Sequence, residues 1–215
     1  MRIAVVTETS TVARNSDIIA ALEGRGHQIL NVGMRRADDD PELTYINTGF
    51  LSALILNTGR VDFVIGGCGT GQGFGIAVSQ YPNVCCGHVQ SPLDAWLFSR
   101  INAGNCASLT LNQGYGWGSD VNLRLTFDQL FGGQTGAGYP AHRIESQRAS
   151  RELLVGTSVA CHRGMADIVR DLPDGVVAPV LAFPGVWELL RTDELSDHAL
   201  AQVLNDRRQP WSGST

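Results

Sequence analysis

Five short runs of apolar or β-branched residues recur along the first half of the chain, and each is separated from the next by a segment long enough for a helix. The runs are Ile3 to Val6, Gln28 to Val32, Val61 to Gly66, Val84 to His88 and Cys106 to Leu111. Strands that alternate with helices in this way form a parallel sheet with helices on both faces. We therefore predict an α/β fold, a Rossmann-like three-layer αβα sandwich with a five-stranded parallel sheet.

The connections between these runs carry helix signals. Ser91 can cap a helix whose first residue is Pro92, a residue already fixed near the helical φ, and this helix is predicted to run to about Ile101. The third run ends at a glycine-rich turn, after which Phe74 to Gln80 is predicted to be helical. Ligands of open parallel sheets bind where strands end, so this turn is the first candidate for a site.

The last third of the sequence has a different character. His142 to Leu154 is predicted to be a helix, and from about Val155 the pattern becomes irregular, with one apolar run from Val176 to Leu190. Such a segment is too small to bury a core alone, so we assign residues 1–154 to one domain and residues 155–215 to a C-terminal extension. The apolar run predicts that this extension packs on the core or on a partner subunit.

Charge and hydropathy exclude several classes of protein. The formal net charge is −5, and the sixteen basic residues are scattered, which argues against a surface that binds nucleic acid. The N-terminal apolar run meets Glu8 too early for a signal peptide, and no stretch is long and apolar enough to span a bilayer. We expect a cytoplasmic protein that binds neither nucleic acid nor membranes.

The cysteines indicate a reduced compartment and no metal site. There are five, an odd number, and they show no pair of C-x-x-C elements. Cys85, Cys86 and Cys106 lie in apolar runs, where a small buried hydrophobic residue is the ordinary interpretation. The acidic run Asp38 to Asp40 is typical of a solvated loop. Cys68 differs from the other cysteines because it lies among glycines.

Three ordinary interpretations of the segment Gly67 to Gly73 fail or explain little. The dinucleotide fingerprint fails in every register, and the loop follows the third strand rather than the first. The phosphate-binding Walker A pattern needs a Gly-Lys-Ser/Thr sequence that is absent. A purely structural turn needs one or two glycines, and it does not explain why several glycines alternate with Cys68 and Thr70.

The remaining interpretation is a cradle of backbone N–H groups around an anionic ligand, with a thiol held at the start of a helix. A thiol in that position gains thiolate character, because the N–H groups and the helix dipole stabilise negative charge. The same N–H groups can stabilise the oxyanion of an enediolate intermediate. The loop therefore predicts a base and an oxyanion site.

At this point the sequence resembles a known family, ribose 5-phosphate isomerase B together with the galactose 6-phosphate isomerase subunits. The hallmark is a strand that ends in a cysteine-glycine-threonine-glycine loop and leads into a helix, as Val64 to Gly73 does. The resemblance extends through Ile76-Ala77, Pro92, Ala95, Asn102 and Asn105 and covers about the first 150 residues. It implies an isomerase that interconverts aldose and ketose without metal or organic cofactor, and a homodimer whose active sites take residues from both chains.

The resemblance also implies roles for particular residues. Cys68 is expected to be the base, and Thr70 with the N–H groups of Gly69, Gly71 and Gly73 is expected to bind the intermediate. Glu8 and Thr9, after the first strand, and Asn102 are expected to contact substrate or intermediate. Arg143, whose planar guanidinium can bind two phosphate oxygens, is expected to hold the phosphate together with His142.

Four departures from the family pattern lie in the expected site. Glu8-Thr9 replaces an Asp-His pair, and Ile101 replaces the histidine that opens the sugar ring. Tyr139 replaces a second phosphate-binding arginine, and no arginine follows the fifth strand around Asn112. An isomerase needs a ring-opening acid and base only for a cyclic substrate. We therefore expect an open-chain substrate such as a tetrose or tetrulose phosphate, rather than ribose 5-phosphate.

Two other functions remain open at the sequence level. A catalytically silent relative could bind a sugar phosphate as a sensor or serve as a subunit of a mixed complex, since the expected histidine and arginines are missing. A hydrolase could use Cys68 as nucleophile with His88 or His142 as its base. For His88, at the end of the fourth run, a structural role is as compatible with the sequence as a catalytic one.

Overall fold

A computed structural model describes residues 1–208 of the chain. Its centre is a single sheet of five parallel strands in the order β2-β1-β3-β5-β4, which confirms the predicted fold. The strands are β1 (Arg2–Val6), β2 (Gln28–Asn31), β3 (Phe63–Cys68), β4 (Cys86–Val89) and β5 (Cys106–Thr110). Each lies within or close to one of the five apolar runs, because a strand buried on both faces needs apolar residues at consecutive positions.

Five helices cover the two faces of this sheet. They are α1 (Asn15–Leu22), α2 (Tyr45–Asn57), α3 (Gln72–Val78), α4 (Pro92–Leu97) and α5 (Ser119–Phe131). Alternate residues of β1 point to opposite faces: Ala4 and Val6 pack in the core beneath α2 and α3, and Ile3 and Val5 pack beneath α1, α4 and α5. Two apolar cores therefore lie back to back across the sheet.

The predicted helix after Ser91 begins as expected. The Ser91 side chain accepts a hydrogen bond from the Asp94 N–H at 3.2 Å, and Pro92 is the first residue of α4. The α-helix ends at Leu97, and the chain continues as one turn of π-helix through Phe98–Asn102 to the start of β5.

The C-terminal third adds a fourth layer. Its helices are α6 (Ile144–Cys161), α7 (Met165–Asp171), α8 (Asp174–Ala182), α9 (Val186–Leu190) and α10 (His198–Arg207). Apolar side chains of α7 to α10 join the core formed by α2 and the sheet. Consequently α2 is buried continuously from Asn47 to Ile55, as its run of apolar residues all around the helix requires. The position between residues 154 and 155 falls inside α6.

Polar contacts tie the added layer to the core. The side-chain amide of Asn47 on α2 donates to the carbonyl of Gly175 at 2.9 Å, and the Arg60 Nε donates to the carbonyl of Leu190 at 2.9 Å. The Gly175 carbonyl has no donor within α8 because the residue four positions on is Pro179, and the Leu190 carbonyl lies at the carboxyl end of α9, so both contacts satisfy carbonyls that the helices leave free. Helices α7 to α10 are thus joined to the sheet domain by packing and by hydrogen bonds.

Helix α6 is the exception among the longer helices. None of its residues is buried, and four large apolar side chains on it are exposed: Leu153, Leu154, Val155 and Val159. No helix within residues 1–208 is long and apolar enough to cross a lipid bilayer. The four exposed apolar side chains, which we call the apolar stripe of α6, have no partner within this part of the chain.

Candidate active site

The loops after β1 and β3 meet at the carboxyl edge of the sheet, where the fold forms a crevice. The chain leaves β1 toward α1 on one face and leaves β3 toward α3 on the other, so the two loops diverge between adjacent strands. Such a divergence is the usual ligand position of an open α/β sheet. The structure places Glu8, Thr9 and the whole loop from Cys68 to Gly73 at this edge.

Cys68 is the last residue of β3, and its side chain is 7% exposed. Its Sγ lies 3.9 Å from the Thr70 hydroxyl oxygen. The Cys68 carbonyl accepts hydrogen bonds from the N–H groups of Gly71 at 3.2 Å and Leu111 at 3.1 Å. The thiol is therefore fixed on a closed turn, with a hydroxyl group as its neighbour.

The loop leaves several N–H groups available to a ligand. Those of Gly69, Thr70 and Gly73 make no hydrogen bond to any residue in the described range 1–208. The Gly71 N–H, which was expected in the cradle, is used by the turn, and Gly71 contributes instead a φ of +76° that glycine adopts readily. Unpaired N–H groups beside a thiol can stabilise an oxyanion that forms there.

Side chains from β4 and β5 hold this loop from behind, and we call them the clamp: His88, Ser108 and Thr110. The Thr110 hydroxyl donates to the Thr70 carbonyl at 2.9 Å, and the His88 Nε2 lies 2.9 Å from the same carbonyl. The Ser108 hydroxyl donates to the Gly71 carbonyl. A Cβ on Gly71 would lie 2.6 Å from the His88 Nε2, so the loop and the clamp fit only with glycine there. His88 thus contacts the loop backbone rather than the thiol.

Glu8 and Thr9 form the other wall of the crevice. The Glu8 side chain is 2% exposed, and its carboxylate accepts hydrogen bonds from the Ser10 hydroxyl and, at 3.1 Å, the Ser10 N–H. The Thr9 N–H donates to the Leu43 carbonyl at 2.9 Å. Asn112, which follows β5, donates from its side-chain amide to the Ser10 carbonyl at 2.8 Å. The loops after β1 and β5 are therefore joined above the end of β3.

Tyr45 is a site residue that the sequence interpretation missed. It is the first residue of α2, it is partly exposed, and a Cβ on Gly73 would lie 3.3 Å from its ring. Glycine at position 73 therefore lets an aromatic ring lie against the cradle. The feature of the sequence that could have indicated Tyr45 is Thr44, which forms a capping box and fixes where α2 begins.

Asn102, His142 and Arg143 lie at the other end of the molecule. Cys68 pairs with Thr110 at the carboxyl end of β5, whereas Asn102 precedes the amino end of that strand. His142 and Arg143 lie in a short 3-10 helix (Ala141–Arg143) before α6. Within one chain, the structure does not bring these three residues to the cysteine loop.

Contacts around α6 fix this separation. The Arg151 guanidinium on α6 donates to the Ile101 carbonyl at 2.7 Å, and the Gly138 N–H donates to the Arg100 carbonyl at 2.8 Å. The Tyr139 ring packs edge-on against Trp96 of α4, with the ring centroids 5.0 Å apart. The segment that carries His142 and Arg143 is therefore docked beside the π-helical turn that carries Asn102.

The cysteine loop provides acid–base groups and an anion site, but no amine. All sixteen basic residues of the chain are arginines, so imine formation with a lysine is not available. Residues 1–208 contain no cluster of three His, Cys, Asp or Glu side chains arranged to hold a metal ion. A thiol, a hydroxyl, a buried carboxylate and unpaired N–H groups are the functional groups that converge. They suit proton transfer next to a carbonyl group.

Comparison with known proteins identifies the family. The model of the Ribose/Galactose Isomerase family matches residues 3–120, which is more than half of the 215-residue chain. The chain belongs to the ribose/galactose isomerase family. It is therefore a sugar isomerase of the aldose–ketose type, in agreement with the resemblance of the Gly67 to Gly73 loop. Comparison with curated protein sequences gives no match.

Two solved structures resemble nearly the whole chain. A 4-deoxy-L-threo-5-hexosulose-uronate ketol-isomerase complexed with a tartrate is 31% identical, with a TM-score of 0.89, over 96% of this chain and 99% of that one. A ribose-5-phosphate isomerase from Vibrio parahaemolyticus is 33% identical, with a TM-score of 0.90 and the same coverage, 96% and 99%. The C-terminal layer is therefore part of both similarities.

A ribose 5-phosphate isomerase from Thermotoga maritima shares the fold at 20% identity, with a TM-score of 0.56. That match covers 96% of the Thermotoga chain but 68% of this one. About a third of the present chain therefore lies outside this match.

Proposed function

We propose that the protein is a cofactor-independent aldose–ketose isomerase in which Cys68 is the base and an enediolate is the intermediate. The observation that carries this proposal is the Cys68 thiol at the end of β3, 3.9 Å from the Thr70 hydroxyl and beside N–H groups that have no acceptor among residues 1–208. In its thiolate form Cys68 removes the proton from the carbon next to the substrate carbonyl. The electron pair of that C–H bond forms the enediolate double bond, and the carbonyl oxygen becomes an oxyanion.

The remaining steps use the neighbours of the thiol. The N–H groups of Gly69 and Gly73 and the Thr70 hydroxyl stabilise the oxyanion, because they are fixed in place before charge develops. Cys68 then returns the proton to the former carbonyl carbon, while a hydroxyl proton moves between the two oxygens. Glu8, a buried carboxylate across the crevice, and Thr9 contact the substrate hydroxyl groups on this scheme.

The substrate is an open-chain sugar that carries an acidic group. Ile101 cannot act as the ring-opening group, and Tyr139 cannot replace an arginine as a phosphate ligand, which favours a substrate such as a tetrose or tetrulose phosphate. A second candidate is a sugar acid, because one of the two structures that match over 96% of the chain is a uronate ketol-isomerase. Both candidates share the open chain and the negative charge.

A substrate panel tests this proposal. We expect the protein to catalyse exchange of the substrate's carbon-bound proton with solvent on a tetrose phosphate or on 4-deoxy-L-threo-5-hexosulose uronate, at least about tenfold faster than on ribose 5-phosphate. The measurement is deuterium incorporation by NMR, with pentose and hexose phosphates side by side. A clear preference for ribose 5-phosphate would contradict the open-chain substrate, and no exchange on any member would favour the silent binding protein.

We further propose a homodimer in which each active site uses both chains. Asn102, His142 and Arg143 lie far from Cys68 of their own chain, and α6 exposes an apolar stripe that a second copy would cover. In a two-fold dimer the same patch faces itself on both chains, so one contact can complete two sites. On this proposal Asn102, Arg143 and His142 of the partner bind the intermediate and the acidic group beside the cysteine loop.

Mixed dimers test the shared site. Cys68→Ala and Asn102→Ala chains are each expected to be inactive alone, and a co-expressed mixture is expected to recover about a quarter of wild-type activity, because one site in each heterodimer is intact. The matched control combines Cys68→Ala with Thr70→Val. Both substitutions then affect residues that the same chain contributes to a site. Every site in the mixture therefore carries one of the two substitutions, and no recovery is expected. Equal recovery in both mixtures, or none in the first, would contradict shared sites.

The cytoplasmic location, and the absence of nucleic-acid binding and of a metal cofactor, stay predictions from the sequence. The hydrolase alternative receives no support from the site. The His88 Nε2 is occupied by the Thr70 carbonyl and the Thr110 hydroxyl, at 2.9 and 3.1 Å, and His142 lies at the opposite end of the chain's sheet. Neither His88 nor His142 is therefore placed within one chain as a base for Cys68.

A further inference from the structure

Arg14 contacts the segment that follows β5, where the sequence has no arginine of its own. It ends the short 3-10 helix Val12–Arg14 that precedes α1, and its side chain is half-buried. Its Nε donates to the Leu111 carbonyl at 3.2 Å, and the Leu111 N–H donates to the Cys68 carbonyl at 3.1 Å. Leu111 thus links the Arg14 guanidinium to the Cys68 backbone through two hydrogen bonds.

An aromatic ring fixes the plane of this guanidinium. The Arg14 Cζ lies 4.3 Å from the centroid of the Tyr115 ring, and the Tyr115 hydroxyl donates to the Asp17 carboxylate at 2.6 Å. Burial, followed by the hydrogen bond to Asp17, raises the pKa of Tyr115, so the ring stays neutral and serves as a fixed platform. A stacked, hydrogen-bonded arginine loses little further freedom when it binds a ligand.

The charge of Arg14 is not matched by the part of the chain that the structure describes. No carboxylate oxygen of residues 1–208 lies within 4.0 Å of its guanidinium. The nearby Asp17 carboxylate accepts instead from Tyr115. Within the same range, the terminal Nη atoms of Arg14 make no hydrogen bond. The two Nη groups of Arg14 are therefore available to donate to an anionic ligand.

Most arginines within residues 1–208 pair with a carboxylate, whereas Arg14, like Arg100 and Arg208, lies over an aromatic ring without one. Arg25 pairs with Asp128, Arg60 pairs with Glu194 at 3.6 Å, and Arg124 pairs with Asp120 at 2.7 Å. Arg36, beyond the end of β2, pairs with Asp39 at 3.6 Å. Arg14 is as well anchored as these residues, yet its anchors are a carbonyl and a ring, which leave the charge available.

We propose that Arg14, from within the same chain as Cys68, binds the terminal acidic group of the substrate, a carboxylate or a phosphate, together with the partner's Arg143 and His142. This inference rests on the proposed function, because it places the acidic group at the β1–β5 side of the crevice while the reacting carbons lie at Cys68. The free edge of the guanidinium offers two parallel N–H donors to two oxygens of the anion. Arg14 is then a specificity-determining residue: it selects acidic over neutral sugars.

Alkylation of cysteine tests the proposal without turnover. Iodoacetate and iodoacetamide differ by one negative charge, and the rate of each at Cys68 can be measured by peptide mass spectrometry in the full-length protein. Glutathione added to the same reaction serves as the reference thiol. We expect Arg14→Gln to lower the iodoacetate-to-iodoacetamide rate ratio about tenfold at Cys68 and not at glutathione, since the positive charge that attracts the anionic reagent is lost. A merely structural role would change both reagents' rates together.

Protection by added anions identifies the acidic group. L-Tartrate and inorganic phosphate are titrated against Cys68 alkylation by iodoacetamide in the wild type, Arg14→Gln, Arg14→Lys and the distant control Arg124→Gln. We expect one anion to protect, with about tenfold weaker protection in Arg14→Gln, an intermediate loss in Arg14→Lys and no change in the control. Protection by tartrate indicates a carboxylate ligand, and protection by phosphate a phosphate ligand.

The proposal is overturned if the rate ratio is unchanged in both Arg14 variants, or if neither anion protects the wild type. Arg14→Lys keeps the charge, so it provides the comparison if the glutamine variant does not fold. The substrate panel tests the proposed isomerase activity, and the alkylation experiments test the anion site, so the two proposals can fail independently. A protein with Arg14-dependent anion protection and no exchange activity would support the anion site and contradict the isomerase.

Discussion

Replacement of Cys68 with alanine is expected to lower solvent-proton exchange and isomerisation by at least about a thousandfold, with little change in the affinity for the acidic sugar. A positioned base contributes about two to four orders of magnitude to a proton transfer, and alanine has no group that can accept the proton. The measurement is kcat for isomerisation together with deuterium exchange at the reacting carbon, and binding by calorimetry.

The matched control for Cys68→Ala is Cys106→Ala. Cys106 is also a buried free cysteine, but it is the first residue of β5, at the end of the strand opposite to Thr110, which pairs with Cys68. It should retain wild-type exchange. Equal, small effects of the two substitutions would contradict the role of Cys68, whereas loss of binding in Cys68→Ala would show that the thiol holds the substrate rather than moving its proton.

The strands, the helices around them and the cysteine loop could be predicted because their signals are local. A buried parallel strand needs consecutive apolar residues, and Gly71 needs its positive φ wherever the rest of the chain lies. The Cys68 and Thr70 side chains follow from that loop, since they are two residues apart on it. For this part of the site, sequence spacing and spatial distance carry the same information.

The rest of the site depends on distances between elements that are remote in sequence. Tyr45 on α2 and His88 on β4 contact the cysteine loop, and Arg14 contacts Leu111 beside it, only because of the strand order. A sequence shows a histidine or an arginine, but it does not show which backbone carbonyl will accept its hydrogen bond. Asn102 and Arg143 illustrate the converse: resemblance grouped them with Cys68, and one chain alone keeps them apart.

The second large predicted effect is on the free energy of unfolding. The C-terminal layer covers α2, which is buried continuously from Asn47 to Ile55. Val180 on α8 is 0% exposed and belongs to the core that contains α2. In Val180→Asp a carboxylate enters that core without a cationic partner, so we expect the free energy of unfolding to fall by more than about 4 kcal/mol. Since whole domains are stable by about 5–15 kcal/mol, a chain this impaired should unfold or aggregate near 37 °C. Thermal and urea unfolding measure the change.

Val121→Asp is the matched control, because it makes the same chemical change on a helix surface. Val121 is 51% exposed and lies in the first turn of α5, where a negative charge interacts favourably with the helix dipole. Its stability should stay within about 0.5 kcal/mol of the wild type. Equal stability of the two variants would mean that the C-terminal layer does not seal α2. A large difference would show that this layer is an integral part of the folding unit, and that the sheet, with the cysteine loop at its edge, depends on it.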